Sequence, residues 1–333
     1  MKNAISIFGS LLAMAILANG VQTKHSSLLS SAALAQGAAA KAYVGLFKDN
    51  AVGVIDTGTN KMIGSIPIPN GPHGMEISPD GKFVYVASEG SSVVSAIDTA
   101  TDKVSQSIEV GTTPHGLAIS KDGSRLLVAV NGMDKVVVVD TKTNAVVSQI
   151  PVHKPHTIAI NPNGKNAIVA SQDPGHFALI TLDLTKGTIT RTNMLEKAPR
   201  DVTFSSDGKS VYFTQAGVDS VGVLDVAAGK ISSQIATGES PHLLIFTPNN
   251  EYALVVVQAT NELSLIDPKS LKVDSSISVG KNPHWVAVSG NSETAFVTNE
   301  AENTVSVVSL EDKKVIATIP VGNGPRKIVV QQR

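Results

Sequence analysis

Hydrophobic residues in this chain come in short runs that turn-forming residues interrupt at regular intervals. One unit reads "GLAIS", "RLLVAV", "KVVVVD" and "AVVSQIPV", separated by the turn "KDG", the loop "NGMD" and the turn "TKTN". Runs rich in β-branched residues predict strands, and the Asp-Gly and Asn-Gly pairs in "SPDGK" and "NPNGK" predict tight hairpins. Helical periodicity is essentially missing beyond the N-terminal segment, so the pattern predicts an all-β chain.

The same unit returns seven times. A proline followed by histidine or arginine recurs at spacings of 42, 41, 44, 42, 42 and 42 residues. A period near forty with four strand-like runs per unit is typical of a β-propeller blade. The second residues of these pairs, called the mouth ring below, are His73, His115, His156, Arg200, His242, His284 and Arg326. The repeat predicts a seven-bladed β-propeller with four-stranded antiparallel blades.

The two ends of the repeat region complement each other. Residues 41–69 supply three strands of a blade but lack the innermost one, whereas the C-terminal "RKIVVQQR" is a single innermost strand. Joining them completes a seventh blade and removes a free sheet edge that would invite aggregation. We therefore expect the propeller to span residues 41–333 and to be closed by N-terminal strands plus a C-terminal innermost strand.

The N-terminal segment has the features of a secretory signal. Lys2 precedes the apolar run "AISIFGSLLAMAILA", which is too short for a comfortable membrane span. Residues 1–35 are predicted to be a signal peptide, with an uncleaved N-terminal anchor as the alternative. Cleavage would leave no transmembrane domain, and we expect a periplasmic or secreted protein of a bacterial envelope.

The amino-acid composition limits the cofactors, nucleophiles and partners that the chain can use. The chain has no cysteine, which excludes covalent haem attachment, iron-sulfur clusters and thiolate nucleophiles. Any metal site must use histidine, carboxylate or backbone oxygen ligands. Without residues 1–35 the chain has 25 basic against 28 acidic groups, so its overall charge does not favour nucleic acid as a partner.

The repeats resemble the YVTN family of seven-bladed propellers. The resemblance rests on "AFVTN" at 295–299, on "VYVAS" at 84–88 and on the recurring pattern of Val-Gly, Pro, Gly and Asp-Gly, and it covers nearly all of residues 41–333. That family is similar in fold to quinoprotein amine dehydrogenase, nitrite reductase and surface-layer propellers, and its members differ in function. The resemblance implies the fold and leaves the activity open.

Sevenfold repetition is expected to bring the mouth ring together at one end of the central channel. Five neutral imidazoles could bind copper, iron or zinc, because histidines from several blades can supply ligands to one ion. Nitrous oxide reductase and carotenoid oxygenase propellers set a precedent for histidine-held metals on the axis. Arg200 and Arg326 would instead suit a small anionic ligand, such as a carboxylate or phosphate. The bland interpretation is that Pro-X-Gly is a turn required by every blade and that its histidine was copied by duplication.

Residues that break the repeat are further candidates. Glu76 stands where three other blades have alanine, and a carboxylate there would be hydrogen-bonded, metal-bound or protonated, with a structural hydrogen bond favoured. Asp201 replaces the glycine after Arg200, and we expect the two to pair. Trp285, the only tryptophan, is expected to pack between blades or to wall an organic ligand. His176, in the loop "SQDPGHFAL", is expected to be solvated.

Three functions remain open at this point. The leading one is an exported propeller that binds a small ligand, an anion or a metal ion at the axial mouth. The second is an enzyme, either a histidine-ligated metal oxidoreductase or a lyase resembling the streptogramin-cleaving propellers, with Glu76 and His73 as candidate catalytic residues. The third is a scaffold with a protein partner in the cell envelope, in which loops such as "SEGSS" and "NEAEN" make the contacts.

Overall fold

A computed structural model describes residues 40–332. These residues form 28 strands and a single short 3₁₀ turn at Asn131–Met133. The predicted signal segment, residues 1–35, lies outside the described residues and stays a prediction. No helix among the described residues is long and apolar enough to cross a membrane.

The strands follow one another with short turns. In chain order they are β1 (Lys41–Leu46), β2 (Ala51–Asp56), β3 (Lys61–Pro67), β4 (Pro72–Ile77), β5 (Phe83–Ser88), β6 (Val93–Asp98), β7 (Lys103–Glu109), β8 (Pro114–Ile119), β9 (Arg125–Val130), β10 (Lys135–Asp140), β11 (Ala145–Pro151), β12 (Pro155–Ile160), β13 (Asn166–Ser171), β14 (Ala178–Asp183), β15 (Thr188–Met194), β16 (Pro199–Phe204), β17 (Ser210–Gln215), β18 (Ser220–Asp225), β19 (Lys230–Ala236), β20 (Pro241–Phe246), β21 (Ala253–Val257), β22 (Glu262–Asp267), β23 (Lys272–Ser278), β24 (Pro283–Val288), β25 (Thr294–Asn299), β26 (Thr304–Ser309), β27 (Lys314–Pro320) and β28 (Pro325–Val330).

Seven antiparallel four-stranded sheets result. Six blades use four consecutive strands, from β4–β7 through β24–β27, and the remaining sheet has the order β28-β1-β2-β3. The predicted seven-bladed propeller and its closure by a C-terminal innermost strand are therefore confirmed. We number the blades from this closing sheet, which is blade 1.

Burial follows from the stacking of blades. The second and third strands of each blade are buried at nearly every position, whereas the outermost strands are mostly exposed and, in six of the seven blades, bury one isoleucine near their end. The buried side chains form seven clusters, each lying between two neighbouring blades. A sheet packed on both faces explains the continuous apolar runs, since only the outer edge needs the period-two pattern of a half-exposed strand.

The turns between the first and second strands have the conformation that their sequences predict. Gly81 and Gly123 have φ of 70° and 72° in "SPDGK" and "SKDGS", where glycine has no Cβ penalty. Asn250 and Ser292 take the same left-handed conformation, at 58° and 63°, in the two turns that have no glycine at this position. The Asp-Gly signal therefore identified a position that every blade turn shares.

Candidate functional site

The mouth ring residues each lie at the second position of an innermost strand. The pairing of that strand with its neighbour shifts register at this point in all seven blades, which is a β-bulge. The residue before the proline has a positive φ in six blades, for example 74° at Gly71 and 55° at Thr113. Bulges re-aim side chains, and here the repeated bulge brings the ring residues together.

Five imidazoles pack against one another in a continuous series, which we call the imidazole chain. The ring centroids of His156 and His115 lie 4.0 Å apart, those of His115 and His73 3.9 Å, those of His73 and His284 5.9 Å, and those of His284 and His242 4.4 Å. His115 and His284 are buried. The structure thus brings together all five histidines predicted for the ring.

The imidazoles are held in a defined tautomer where a carbonyl faces them. Nδ1 of His115 lies 3.0 Å from the carbonyl oxygen of His156, and Nδ1 of His156 lies 3.0 Å from that of Arg200. A carbonyl can only accept, so each Nδ1 carries the proton and each Nε2 keeps a free lone pair. Imidazole with its other nitrogen fixed in this way is the form that binds a metal ion.

The imidazole chain is uncharged at neutral pH. Burial lowers the pKa of His156 to about 4 and, together with the neighbouring Arg200 guanidinium, that of His242 to about 3. Burial and the adjacent imidazoles hold the pKa of His73, His115 and His284 well below the usual value. The positive charge that an anionic ligand would meet at the mouth therefore comes from the arginines and not from the histidines.

The two arginines of the ring are held by their own partners. Arg326 Nε donates to Glu300 Oε1 at 3.1 Å, and its Nη1 lies 3.9 Å from Glu89 Oε2, while its guanidinium stacks over Phe47 at 3.6 Å. Arg200 Nη1 donates to Gln258 Oε1 at 3.0 Å. Both carboxylates therefore lie at Arg326, whereas the partner of Arg200 is a neutral amide.

These partners occupy one equivalent position, the residue that follows the second strand of a blade. It lies 16 residues after the ring residue in six blades and after β1 in blade 1. Its occupants are Phe47, Glu89, Asn131, Gln172, Ala216, Gln258 and Glu300. Sequence reasoning missed this position because its residue type varies, although the constant offset from the ring residue could have identified it.

Glu89 completes a cluster with metal-ligand spacing. One candidate ligand atom from each of His73, Glu89 and His115 lies within 4.8 Å of the other two. Two imidazoles and a carboxylate form a donor set that suits zinc, copper or iron.

Below the ring, innermost strands enclose a cavity of about 360 Å³ along the axis. Lys327 Nζ donates to Glu76 Oε1 at 2.9 Å and lies 4.4 Å from the centre of the Trp285 ring. The hydrogen bond favoured for Glu76 is thus present, with Lys327 as its donor. A catalytic role for Glu76 and His73 stays a prediction. Sequence reasoning missed Lys327, which follows Arg326 directly.

Of three further expectations, the one for Asp201 is wrong. Asp201 does not pair with Arg200; its Oδ2 accepts a hydrogen bond from the Leu244 backbone N–H at 3.1 Å, because the side chain follows the bulge and lies beside the next innermost strand. Trp285 packs against two core clusters and also lines the cavity. His176 is exposed in its loop, with Nδ1 3.7 Å from Asp173.

Fold and site together define a seven-bladed β-propeller whose axial mouth is lined with histidines. The chain belongs to the YNCE-like β-propeller family, whose model matches residues 29–120 and 158–332. This agrees with the YVTN-type propeller predicted from the repeats. A sequence comparison with curated proteins gives no match.

Solved structures share the fold at low identity. Hydrazine synthase from Kuenenia stuttgartiensis matches at 21% identity and TM-score 0.72, over 80% of this chain and 91% of that one. A functionally unknown protein from Desulfotomaculum acetoxidans matches at 15% identity and TM-score 0.76, over 88% and 99%. The dihydro-heme d1 dehydrogenase NirN, solved in complex with DHE, matches at 18% identity and TM-score 0.66, over 86% and 74%.

Proposed function

We propose that this protein is an exported β-propeller that binds a transition-metal ion at its axial mouth, through His73, His115 and Glu89. The observation that carries the proposal is the convergence of ligand atoms from these three residues within 4.8 Å. Neutral imidazole and ionised carboxylate are the ligand forms that zinc, copper and iron take up.

Charge at the mouth supports a cation over an anion. The guanidinium of Arg326 already pairs with Glu300 at 3.1 Å, which leaves Glu89, 3.9 Å away, as its looser partner. Glu89 can therefore turn to a metal ion without leaving Arg326 unpaired. An anion at His73 and His115 would meet uncharged imidazoles and would have to compete with these carboxylates for Arg326, which leaves Arg200 as the one guanidinium of the mouth ring without a carboxylate partner among the described residues.

Hydrogen bonding around the ring supports the same ligand. The His115 tautomer set by the His156 carbonyl leaves Nε2 free as a metal ligand. His73 stacks on His115, so the protein fixes the relative orientation of the two imidazoles before an ion arrives.

The test is metal content of untagged protein, isolated from an envelope fraction and equilibrated with zinc, copper(II) or iron(II). We expect close to one ion per chain for at least one metal. We expect its affinity to fall at least tenfold in His73→Ala, His115→Ala and Glu89→Gln. His176→Ala, which removes an exposed loop histidine, is the control and should bind like the parent. Absence of stoichiometric binding of all three metals, or unchanged binding in the three variants, would overturn the proposal.

A further inference from the structure

A second site lies in the channel next to the ring, whose His73 and His115 also line it. The cavity of about 360 Å³ is in the size range of small-molecule sites, which are lined mainly by apolar groups with a few convergent polar ones. Its walls include Leu117, Ile158, Val202, Leu244 and Val286. The charged residues among its lining are Glu76, Asp201 and Lys327.

The charges of these three groups do not cancel, since there are two carboxyl groups and one ammonium group. Lys327 is only 7% exposed and gives its ammonium to Glu76 at 2.9 Å. Asp201, also 7% exposed, accepts a backbone hydrogen bond from Leu244 and has no salt bridge to any of the described residues. A buried carboxylate without a paired cation is costly, so the channel has one carboxyl group that forms no ion pair with the described residues.

The fold does not require an acid at this position. The residue after the ring residue is Gly74, Gly116, Thr157, Leu243, Trp285 and Lys327 in the other six blades. All seven blades share the same bulge, although their residues here differ in size and charge. Asp201 is therefore specific to this channel rather than to propeller geometry.

We propose that the channel binds a small organic cation, a primary amine with an apolar body, whose ammonium group pairs with Asp201. The apolar walls and the Trp285 ring would take up the body of the ligand, since aromatic side chains bury large apolar area. A carboxylate ligand would need Lys327, which Glu76 already engages. An inorganic cation would find one free carboxylate among apolar walls, which is a poor ligand set.

Asp201 also sets the pH dependence of such binding. Burial raises the pKa of Asp201 to about 7, and the more distant charges that act on it are Lys327, which lowers the pKa, and Glu76, which raises it. An ammonium ligand favours the ionised carboxylate, so binding releases a proton. Affinity for the amine should therefore weaken as the pH falls below 7.

Trp285 gives a direct readout, because it is the only tryptophan in the chain and lines the cavity. We would titrate the protein with phenethylamine and, separately, with 3-phenylpropionate, and follow tryptophan fluorescence. We expect a saturable change with the amine and at least tenfold weaker binding of the acid. Asp201→Asn should weaken amine binding at least tenfold, whereas Asp173→Asn, in an exposed loop, should leave it unchanged.

Metal and amine sites can be tested separately. Glu89→Gln should lose the metal and keep the amine, and Asp201→Asn should do the reverse. Absence of saturation with phenethylamine, equal binding of the acid, or full amine binding by a folded Asp201→Asn variant would overturn the channel proposal and leave the metal proposal intact.

Discussion

At the scale of single residues, the buried carboxyl group of Asp201 lowers the stability of the fold. Its folded-state pKa of about 7 lies well above the value of about 3.9 in an unfolded chain. Between these two values the folded protein binds a proton that the unfolded chain does not, so the free energy of unfolding falls as the pH rises. The stability cost is complete above pH 7, where both states are ionised.

Asp201→Asn should remove this cost. The variant keeps an acceptor for the Leu244 N–H, so its stability relative to the parent should increase by roughly 1 kcal/mol per pH unit from pH 4 to pH 7 and then stay constant. Urea unfolding at pH 5, 6, 7 and 8 would measure this. If the difference in unfolding free energy between variant and parent does not change with pH, burial does not raise the pKa of Asp201.

Asp122, whose pKa is shifted in the opposite direction, provides the control. Hydrogen bonds from Ser120 and Ser124 lower the pKa of Asp122 to about 2, which is the sign expected of a turn carboxylate that accepts hydrogen bonds. Asp122→Asn should be less stable than the parent by a constant amount from pH 5 to pH 8.

At the scale of the strand, two glycines determine how closely the innermost strands approach. A Cβ on Gly74 would overlap the carbonyl oxygen of His115, and one on Gly116 would overlap that of His156. The His156 carbonyl is the same group that orients the His115 imidazole. Strand packing and ring geometry therefore depend on the same small residues.

Gly74→Ala should lower the free energy of unfolding by about 2 kcal/mol or more, because backbone cannot move aside as a flexible side chain can. Gly64→Ala is the matched control: its Cβ would lie 3.9 Å from the nearest atom, on the exposed outermost strand of blade 1. Alanine there should be neutral or stabilising by up to about 1 kcal/mol. Thermal and urea unfolding of both variants would decide, and equal stabilities would contradict the packing argument.

The strands and the mouth ring could be predicted from the sequence because both depend on local signals. Gly81 marks a hairpin within five residues of chain, and the Pro-His pairs repeat with a fixed period. The role of Lys327 could not be predicted because its partner, Glu76, is 251 residues away in the sequence. The orientation of the Asp201 side chain could not be predicted either, because a β-bulge changes which way a side chain faces and no residue type marks the bulge.

At the scale of the whole molecule, closure depends on β28. This strand pairs with β1 and contributes to two core clusters, with Ile328 and Val330 on one face and Val329 on the other. Asp49 also accepts hydrogen bonds from the backbone and side chain of Asn323, at 2.6 and 2.8 Å. Both ends of the propeller are thus joined by a strand pair, by core packing and by a side-chain contact.

Removal of residues 325–333 should abolish the cooperative thermal transition and cause aggregation, because β1 would become an exposed edge beside open core clusters. A chain that ends after Gln331 keeps β28 and the hydrogen bond from Gln331 to Gly81, and it should keep the parent's elution volume and a nearly unchanged Tm. Circular dichroism melts and gel filtration would compare them. A monomeric, cooperatively folding chain without residues 325–333 would show that closure is dispensable.

The closing strand also has a consequence for the order in which the sites are assembled during synthesis. Protein chains are made from the N-terminus, so the five histidines, Glu76 and Asp201 all precede Arg326 and Lys327. Among the described residues, β28 alone supplies the cations that pair with Glu300 and Glu76. It also supplies one wall of the channel, so an unfinished or C-terminally clipped chain would lack part of the cavity, and the binding proposed here requires the completed propeller.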